Sequence, residues 1–204
     1  MNRCQSWWTV ALMLVACGWM TGCGTTAPSR FYALQPLPEV YDTPVPSTSA
    51  GELVIGVGPI VVAKYLQRSQ IAVNEVGPEI FYSEIHRWAA PLDETIANVM
   101  VQNLSALLGS PKVARVPWLK AIPTDLRLLA NISRFDGVPG EEAILEVQWT
   151  LMGKDEVQSV AGAHRDLFRL PVEERSYAAL VSAQSELLGQ FSRRVAEEIQ
   201  AVGE

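Results

Sequence analysis

An α/β fold is predicted: a single domain with a mixed, partly antiparallel sheet and two major helices packed on it, behind a Pro-rich tether. Two segments, one opening at Pro91 and one at about Tyr177, repeat apolar residues at helical spacing. Several others, clearest at 126–132 and 143–151, alternate apolar and polar residues as half-buried strands do. Gly and Pro punctuate the joins, and neither an internal repeat nor a second domain is evident.

The first 22 residues read as a signal and not as part of the fold. Arg3 supplies one positive charge, Trp7 to Val15 form an uncharged apolar stretch, and small residues Thr21 and Gly22 precede Cys23. The stretch is too short for a membrane span, which needs about 20 apolar residues. Met20-Thr21-Gly22-Cys23 resembles the lipobox of bacterial lipoproteins. Leu14-Val15-Ala16-Cys17 also fits and has the better residue three places before its cysteine. Cys23 is preferred because it leaves a longer apolar region, follows Gly22, and leads directly into polar Gly24 to Ser29; Cys17 stands as the alternative.

The lipobox resemblance implies a diacylglyceryl thioether and an N-acyl chain on Cys23, with no other cofactor. At about 0.8 kcal/mol per buried methylene, two or three chains hold a protein on a bilayer almost permanently. Gly24 stands where an inner-membrane retention signal carries Asp, so the sorting pattern of such lipoproteins implies the periplasmic face of the outer membrane. Cleavage removes one of the 16 Lys and Arg and none of the 22 Asp and Glu, leaving 182 residues with formal charge −7. That balance argues against a nucleic-acid partner. Cys4 and Cys17 leave with the signal, so neither a disulfide nor a cysteine metal site is expected.

Residues 23–50 form the lipidated N-terminus and tether. Phe31-Tyr32-Ala33-Leu34 is a short strand expected to dock on the body, with a membrane-surface contact as the alternative. Gln35 to Ala50 carry Pro36, Pro38, Pro44 and Pro46 among Ser and Thr and read as an extended linker. The globular domain is assigned to 51–204.

Within it, Leu53, Ile55 and Val57 predict a strand stopped by Gly58-Pro59. Val62 to Leu66 predicts one helical turn. Ile71 and Val73 begin a strand that turns at Gly77-Pro78 into Glu79 to Tyr82. Pro91 opens a helix with Leu92, Ile96, Val99, Asn103, Leu104 and Leu107 on one face and Gly109 at its end. Lys112 to Val116 reads as a short strand.

A meander follows. Leu126, Leu128, Ala130 and Ile132 face one way, the chain turns at 136–140, and Ala143, Leu145, Val147, Trp149 and Leu151 face in again. Ala161 to Leu170 is a third, less regular strand. The last helix buries Leu180, Val181, Gln184, Leu187, Leu188, Phe191, Val195 and Ile199.

Taken in order, the lipobox cysteine, Phe31 to Leu34, Ile55-Gly56-Val57-Gly58-Pro59, Tyr65-Leu66, His86 to Asp93 leading into a helix with Asn103-Leu104, and Arg134-Phe135-Asp136-Gly137 resemble the ABC-type transport auxiliary lipoproteins, the PqiC-like family. The resemblance covers almost the whole mature chain, through the order and spacing of elements that are individually unspecific. It implies a non-catalytic adaptor of an MCE-type lipid transport system. The partners would be an MCE-domain protein and inner-membrane transporter components, with homo-oligomerisation expected. A lipid-binding protein with its own apolar cavity is the second reading, and an outer-membrane-associated enzyme the third.

No motif in the sequence marks a catalytic site. Gly56-Val57-Gly58 lacks the third glycine of a dinucleotide loop, and neither a Gly-x-Ser-x-Gly elbow nor a phosphate loop occurs. His86 and His164 are far apart in sequence without a paired ligand, so no metal site is predicted. The acid pairs at 93–94, 141–142, 173–174 and 197–198 read as solvated surface. The candidate protein interface is His86, Arg87, Trp88, Pro91 and Leu92, a segment joining a strand to the long helix, together with Tyr65 and Leu66. Trp and Arg are enriched at interface hot spots. The competing reading has Trp88 closing the core and Arg87 paired with Asp93 or Glu94.

Overall fold

The computed structural model describes residues 27–38, 40, 53–74, 78–116, 123–154 and 159–203. The signal, Cys4, Cys17, Cys23 and most of the tether lie outside the described residues. In chain order the elements are β1 (Arg30–Tyr32), β2 (Ile55–Val62), a 3-10 turn (Lys64–Leu66), β3 (Gln70–Val73), β4 (Phe81–Trp88), α1 (Leu92–Leu107), β5 (Val113–Arg115), β6 (Leu126–Gly137), β7 (Glu142–Gly153), β8 (Ser159–Pro171) and α2 (Tyr177–Gly203). They form a mixed α/β domain, as predicted, but with two sheets where one was expected. A five-stranded sheet has the order β5-β2-β6-β7-β8, and a three-stranded sheet the order β1-β4-β3.

In the larger sheet β2 runs parallel to β5 and β6, and the β6-β7-β8 meander is antiparallel. Alternation decides which face is covered. Leu128, Ile132, Leu145, Val147 and Leu151 are fully buried beneath the helices, whereas Asn131, Gln148 and Arg165 are exposed. α1 lies on β2 and β5, α2 on β7 and β8, and the helices touch each other. The buried face of α2 is the predicted one, with Phe191 edge-on to Trp149 at 5.9 Å. Among the described residues, no helix is long and apolar enough to cross a membrane.

The helix starts follow from local chemistry. Pro91 stands at the N-cap of α1 with Asp93 and Glu94 in the first turn, where carboxylates favour the positive end of the helix dipole. Ser176 Oγ accepts the Ala179 N–H at 3.1 Å and caps α2.

Four expectations need correction. β2 is not stopped at Gly58-Pro59. It bulges there, between Val57 and Ile60, and continues to Val62 in register with β6. Gly58 is at φ 117, and a Cβ on it would sit 2.6 Å from the Val116 carbonyl oxygen, so glycine permits the bulge. β4 extends to Trp88, because pairing with β1 and β3 carries the strand past Tyr82. Asp136 and Gly137 belong to β6, and the reversal occurs at 138–141, closed by the Val138 N–H to the Glu142 carbonyl at 2.8 Å. The linker does not begin at Gln35, since Leu34 and Leu37 are both buried.

That last correction has a specific cause. Asn103, fully buried on α1, accepts the Leu37 N–H on Oδ1 at 2.8 Å and donates from Nδ2 to Ser192 Oγ on α2 at 3.0 Å. Leu37 lies against Gly189, where a Cβ would come within 2.5 Å of Leu37 Cδ2, so the segment packs directly on helix backbone. Replacing Asn103 with Leu keeps the branching at Cγ and orphans the Leu37 N–H. A loss of about 1–3 kcal/mol is expected, read by urea denaturation, with earlier proteolysis around residues 33–40. An unchanged denaturation midpoint would show that the bond carries no weight.

Candidate interaction site

The three-stranded sheet brings together most of the residues singled out in the sequence. β1 and β4 are parallel, with Arg30 opposite His86, Phe31 opposite Arg87 and Tyr32 opposite Trp88. Across β4, Gln70 of β3 pairs with Arg87. Trp88 donates its backbone N–H to Ser69 at 2.7 Å, and Ala89 donates to Tyr32 at 2.8 Å. The 3-10 turn joins this group through the Tyr82 hydroxyl, which donates to the Tyr65 carbonyl at 3.2 Å.

Burial then divides the set. Trp88, Leu66 and Leu92 are core residues, 3–5% exposed, and Trp88 stacks towards Phe135 with ring centroids 6.5 Å apart. Their side chains cannot meet a partner while the domain stays folded, so for these three the core reading replaces the interface reading. His86, Arg87 and Tyr65 are half-buried, and Ala89, Ala90 and Pro91 are exposed at the start of α1. Arg87 makes no ion pair with Asp93 or Glu94 among the described residues; Glu94 faces Arg115 at 3.6 Å.

Two polar clusters fix the half-buried members. The Tyr32 hydroxyl is 2.7 Å from His86 Nδ1, and the imidazole stacks on Tyr177, the first residue of α2, at 3.9 Å. Burial, and after it the Arg30 guanidinium, hold His86 below the ordinary histidine range. In the second cluster the Tyr65 hydroxyl donates to Asp136 Oδ2 at 2.6 Å, and Arg134 Nη2 donates to Oδ1 at 2.8 Å. Burial first, then the bond to Asp136 and its charge, push the Tyr65 phenol above its usual range. Asp136 is a fully buried carboxylate with both oxygens satisfied. Sequence reading put Asp136 in a turn. The signal it lacked was the shift in β6–β7 pairing between Ile132 and Arg134, which is long-range information.

The remaining candidates are structural. His164 stacks on Trp149 at 4.4 Å, and Trp149 Nε1 donates to Asp166 at 2.7 Å. No group of three or more His, Cys, Asp or Glu side chains is placed to hold a metal among the described residues. An open groove of about 450 Å3 crosses the outer face of the larger sheet beside Asn131, Gln148 and Thr150.

A family model described as the ABC-type transport auxiliary lipoprotein component matches residues 32–196, from the last residue of β1 through most of α2. The chain belongs to this family. The intermembrane transport lipoprotein PqiC of Escherichia coli is 26% identical over 140 residues, covering 69% of this chain and 72% of PqiC, and the Shigella flexneri protein of that name matches equally. The fold is shared with solved structures at 18% identity. One, of an uncharacterised protein, has a TM-score of 0.68 and covers 85% of this chain and 99% of its own. Another, from Xanthomonas campestris, has a TM-score of 0.66 and covers 85% and 96%.

The depressed His86 value has a consequence for stability. The unfolded imidazole takes its proton near pH 6.5 and the folded one at lower pH, so the contribution of neutral His86 is complete above about pH 6.5. It is lost as pH falls through that value towards the folded one. His86→Asn removes the proton equilibrium and leaves a polar group beside Tyr32. The thermal midpoint of the wild type should therefore fall more on acidification through this range than that of the variant. Parallel curves would mean that His86 titrates alike in both states.

Proposed function

We propose that this chain is an outer-membrane-anchored periplasmic lipoprotein that serves as a non-catalytic adaptor of an MCE-type ABC lipid transport system. The observation that carries the reading is the family match from residue 32 to residue 196, supported by the likeness to a lipoprotein named for intermembrane transport. Cys23 is acylated in this reading, with a diacylglyceryl thioether and an N-acyl chain. The partners are an MCE-domain protein and the inner-membrane components of the same system, and the adaptor works as a homo-oligomer.

A rigid domain on a lipid leash suits such a role. The acyl chains supply residence on the bilayer, at about 0.8 kcal/mol per buried methylene, without any contribution from the core. The domain then offers fixed surfaces. Of the predicted interface, the part open to a protein partner is the loop Ala89 to Pro91, exposed and held between the end of β4 and the N-terminus of α1.

Two experiments test this. Cys23→Ser should leave the domain folded and release it from the membrane fraction, while Cys17→Ser should be silent. Retention of the Cys23 variant on membranes in high salt would count against the anchor. A photo-reactive phenylalanine analogue in place of Ala90 should capture an MCE-domain protein or a second copy in cells. Capture of neither, with capture from another surface position, moves the contact elsewhere.

A further inference from the structure

Phe31 is the most exposed of the large apolar residues in the described structure, at 65%. A single exposed aromatic needs no explanation by itself. Its surroundings supply one. Phe31 lies on β1, an edge strand of the small sheet, and its register partner Arg87 projects from the same face. Arg30, immediately before it, is exposed on the other side of the strand, towards His86, whereas Arg68 is exposed two residues before Gln70, the partner of Arg87 on β3, with its guanidinium 4.6 Å above the Tyr82 ring.

Most arginines outside this group are paired. Arg115, Arg134, Arg165, Arg169, Arg193 and Arg194 each have a carboxylate partner. Arg30, Arg68 and Arg87 have none within 4.0 Å among the described residues, as is also true of Arg175, Lys64 and Lys154; Arg87 Nη2 donates to the Glu84 carbonyl at 3.4 Å, and its Nε is buried without a hydrogen-bond partner. In a chain of net charge −6, Arg68 and Arg87, without carboxylate partners near one exposed aromatic, form a local cationic and apolar surface, with the exposed Glu84 as the acidic residue on the strand that carries Arg87.

Chain length says what that surface meets. Phe31 is eight residues beyond Cys23, a stretch that reaches at most about 28 Å when fully extended. β1 is the described element nearest to Cys23 in sequence.

We propose that the Phe31, Arg68 and Arg87 face of the small sheet rests on an anionic phospholipid bilayer, Phe31 entering the headgroup region and the guanidinium groups meeting lipid phosphates. The inference rests on acylation of Cys23, and it adds orientation to that anchor. An acyl chain gives residence, whereas an aromatic and cationic footprint fixes which side of the domain faces the membrane and which faces a partner. The electrostatic part weakens as salt shortens the Debye length.

The test uses the full, acylated chain. In this reading processing leaves Cys23 as the one remaining cysteine, with its sulfur in the thioether, so a single introduced thiol can be labelled uniquely. An environment-sensitive fluorophore is placed through Ala33→Cys, beside the footprint, or through Leu167→Cys on β8, both exposed positions. Proteins are floated with vesicles of phosphatidylethanolamine and phosphatidylglycerol carrying a nitroxide lipid quencher. The label at 33 should be quenched several-fold more than the label at 167, and the difference should shrink when phosphatidylcholine replaces phosphatidylglycerol or salt is raised. Arg68→Glu with Phe31→Ser should bring quenching at 33 down to that at 167 while flotation persists. Flotation with equal quenching at both positions, or with quenching at 33 indifferent to the double substitution, overturns the inference and leaves the anchor standing. Self-quenching between labels at 33 without lipid quenching overturns it in favour of a contact between copies. Loss of flotation itself rejects the acylated anchor and, with it, this inference.

Discussion

One buried carboxamide, that of Asn103, ties the N-terminal segment to the rest of the molecule. It stands between α1 and α2, where an unpaired polar group would cost about 1–3 kcal/mol, and both ends of the amide are used: Oδ1 by the Leu37 N–H and Nδ2 by Ser192. Ser192 passes its own hydrogen back to the Leu188 carbonyl at 2.8 Å. The two helices and residues 34–37 therefore satisfy one another, and none can shift alone without orphaning a donor or acceptor. Because residues 30–32 pair with β4 just upstream, the same constraint holds β1 in place and sets where the chain leaves the domain towards Cys23.

The small sheet depends on this docking and on two polar clusters. His86 joins β4 to β1 through Tyr32 and to α2 through Tyr177, so three elements distant in sequence meet at one imidazole. Asp136 performs the equivalent service for the 3-10 turn, taking Tyr65 on one oxygen and Arg134 on the other. A buried carboxylate is expensive unless both oxygens are paired, and here both are. The result is a sheet whose inner face is fixed by specific partners and whose outer face is free to carry function. For the adaptor role proposed above, a fixed surface is what the fold has to supply.

What the sequence made legible follows from the range of the forces involved. The two helices and the inward faces of β6 and β7 were readable because their apolar periods are local, and Leu180 to Ile199 and Ala143 to Leu151 are buried in the predicted pattern. Three features were set by pairing with distant strands and so left no local trace: β2 continuing past Gly58-Pro59, β4 continuing to Trp88, and Asp136 entering the core. The candidate site shows the same division. Residue type marked Trp88 and Leu66 as contact residues, but type cannot distinguish an aromatic that anchors a partner from one that closes a core, and burial assigned both to the core. Phe31 was readable as a docked strand. That its own side chain would point outward, beside Arg87, required the register with β4.

Charge pairing carries the last step. An exposed ion pair contributes only about 0–1 kcal/mol, so leaving Arg68 and Arg87 without carboxylates among the described residues gives up little stability, whereas pairing them would cancel their field. In an acidic domain, an unpaired cationic group near the end of the chain that carries the proposed acyl anchor acts on orientation more than on folding. The helices, the meander and the Asn103 lock secure the fold, and the small sheet is left to set how the domain stands on its surroundings. The exposed loop at 89–91 leaves the end of β4 just beyond Arg87, so a footprint that fixes the tilt of the small sheet also fixes where that loop is presented to a partner.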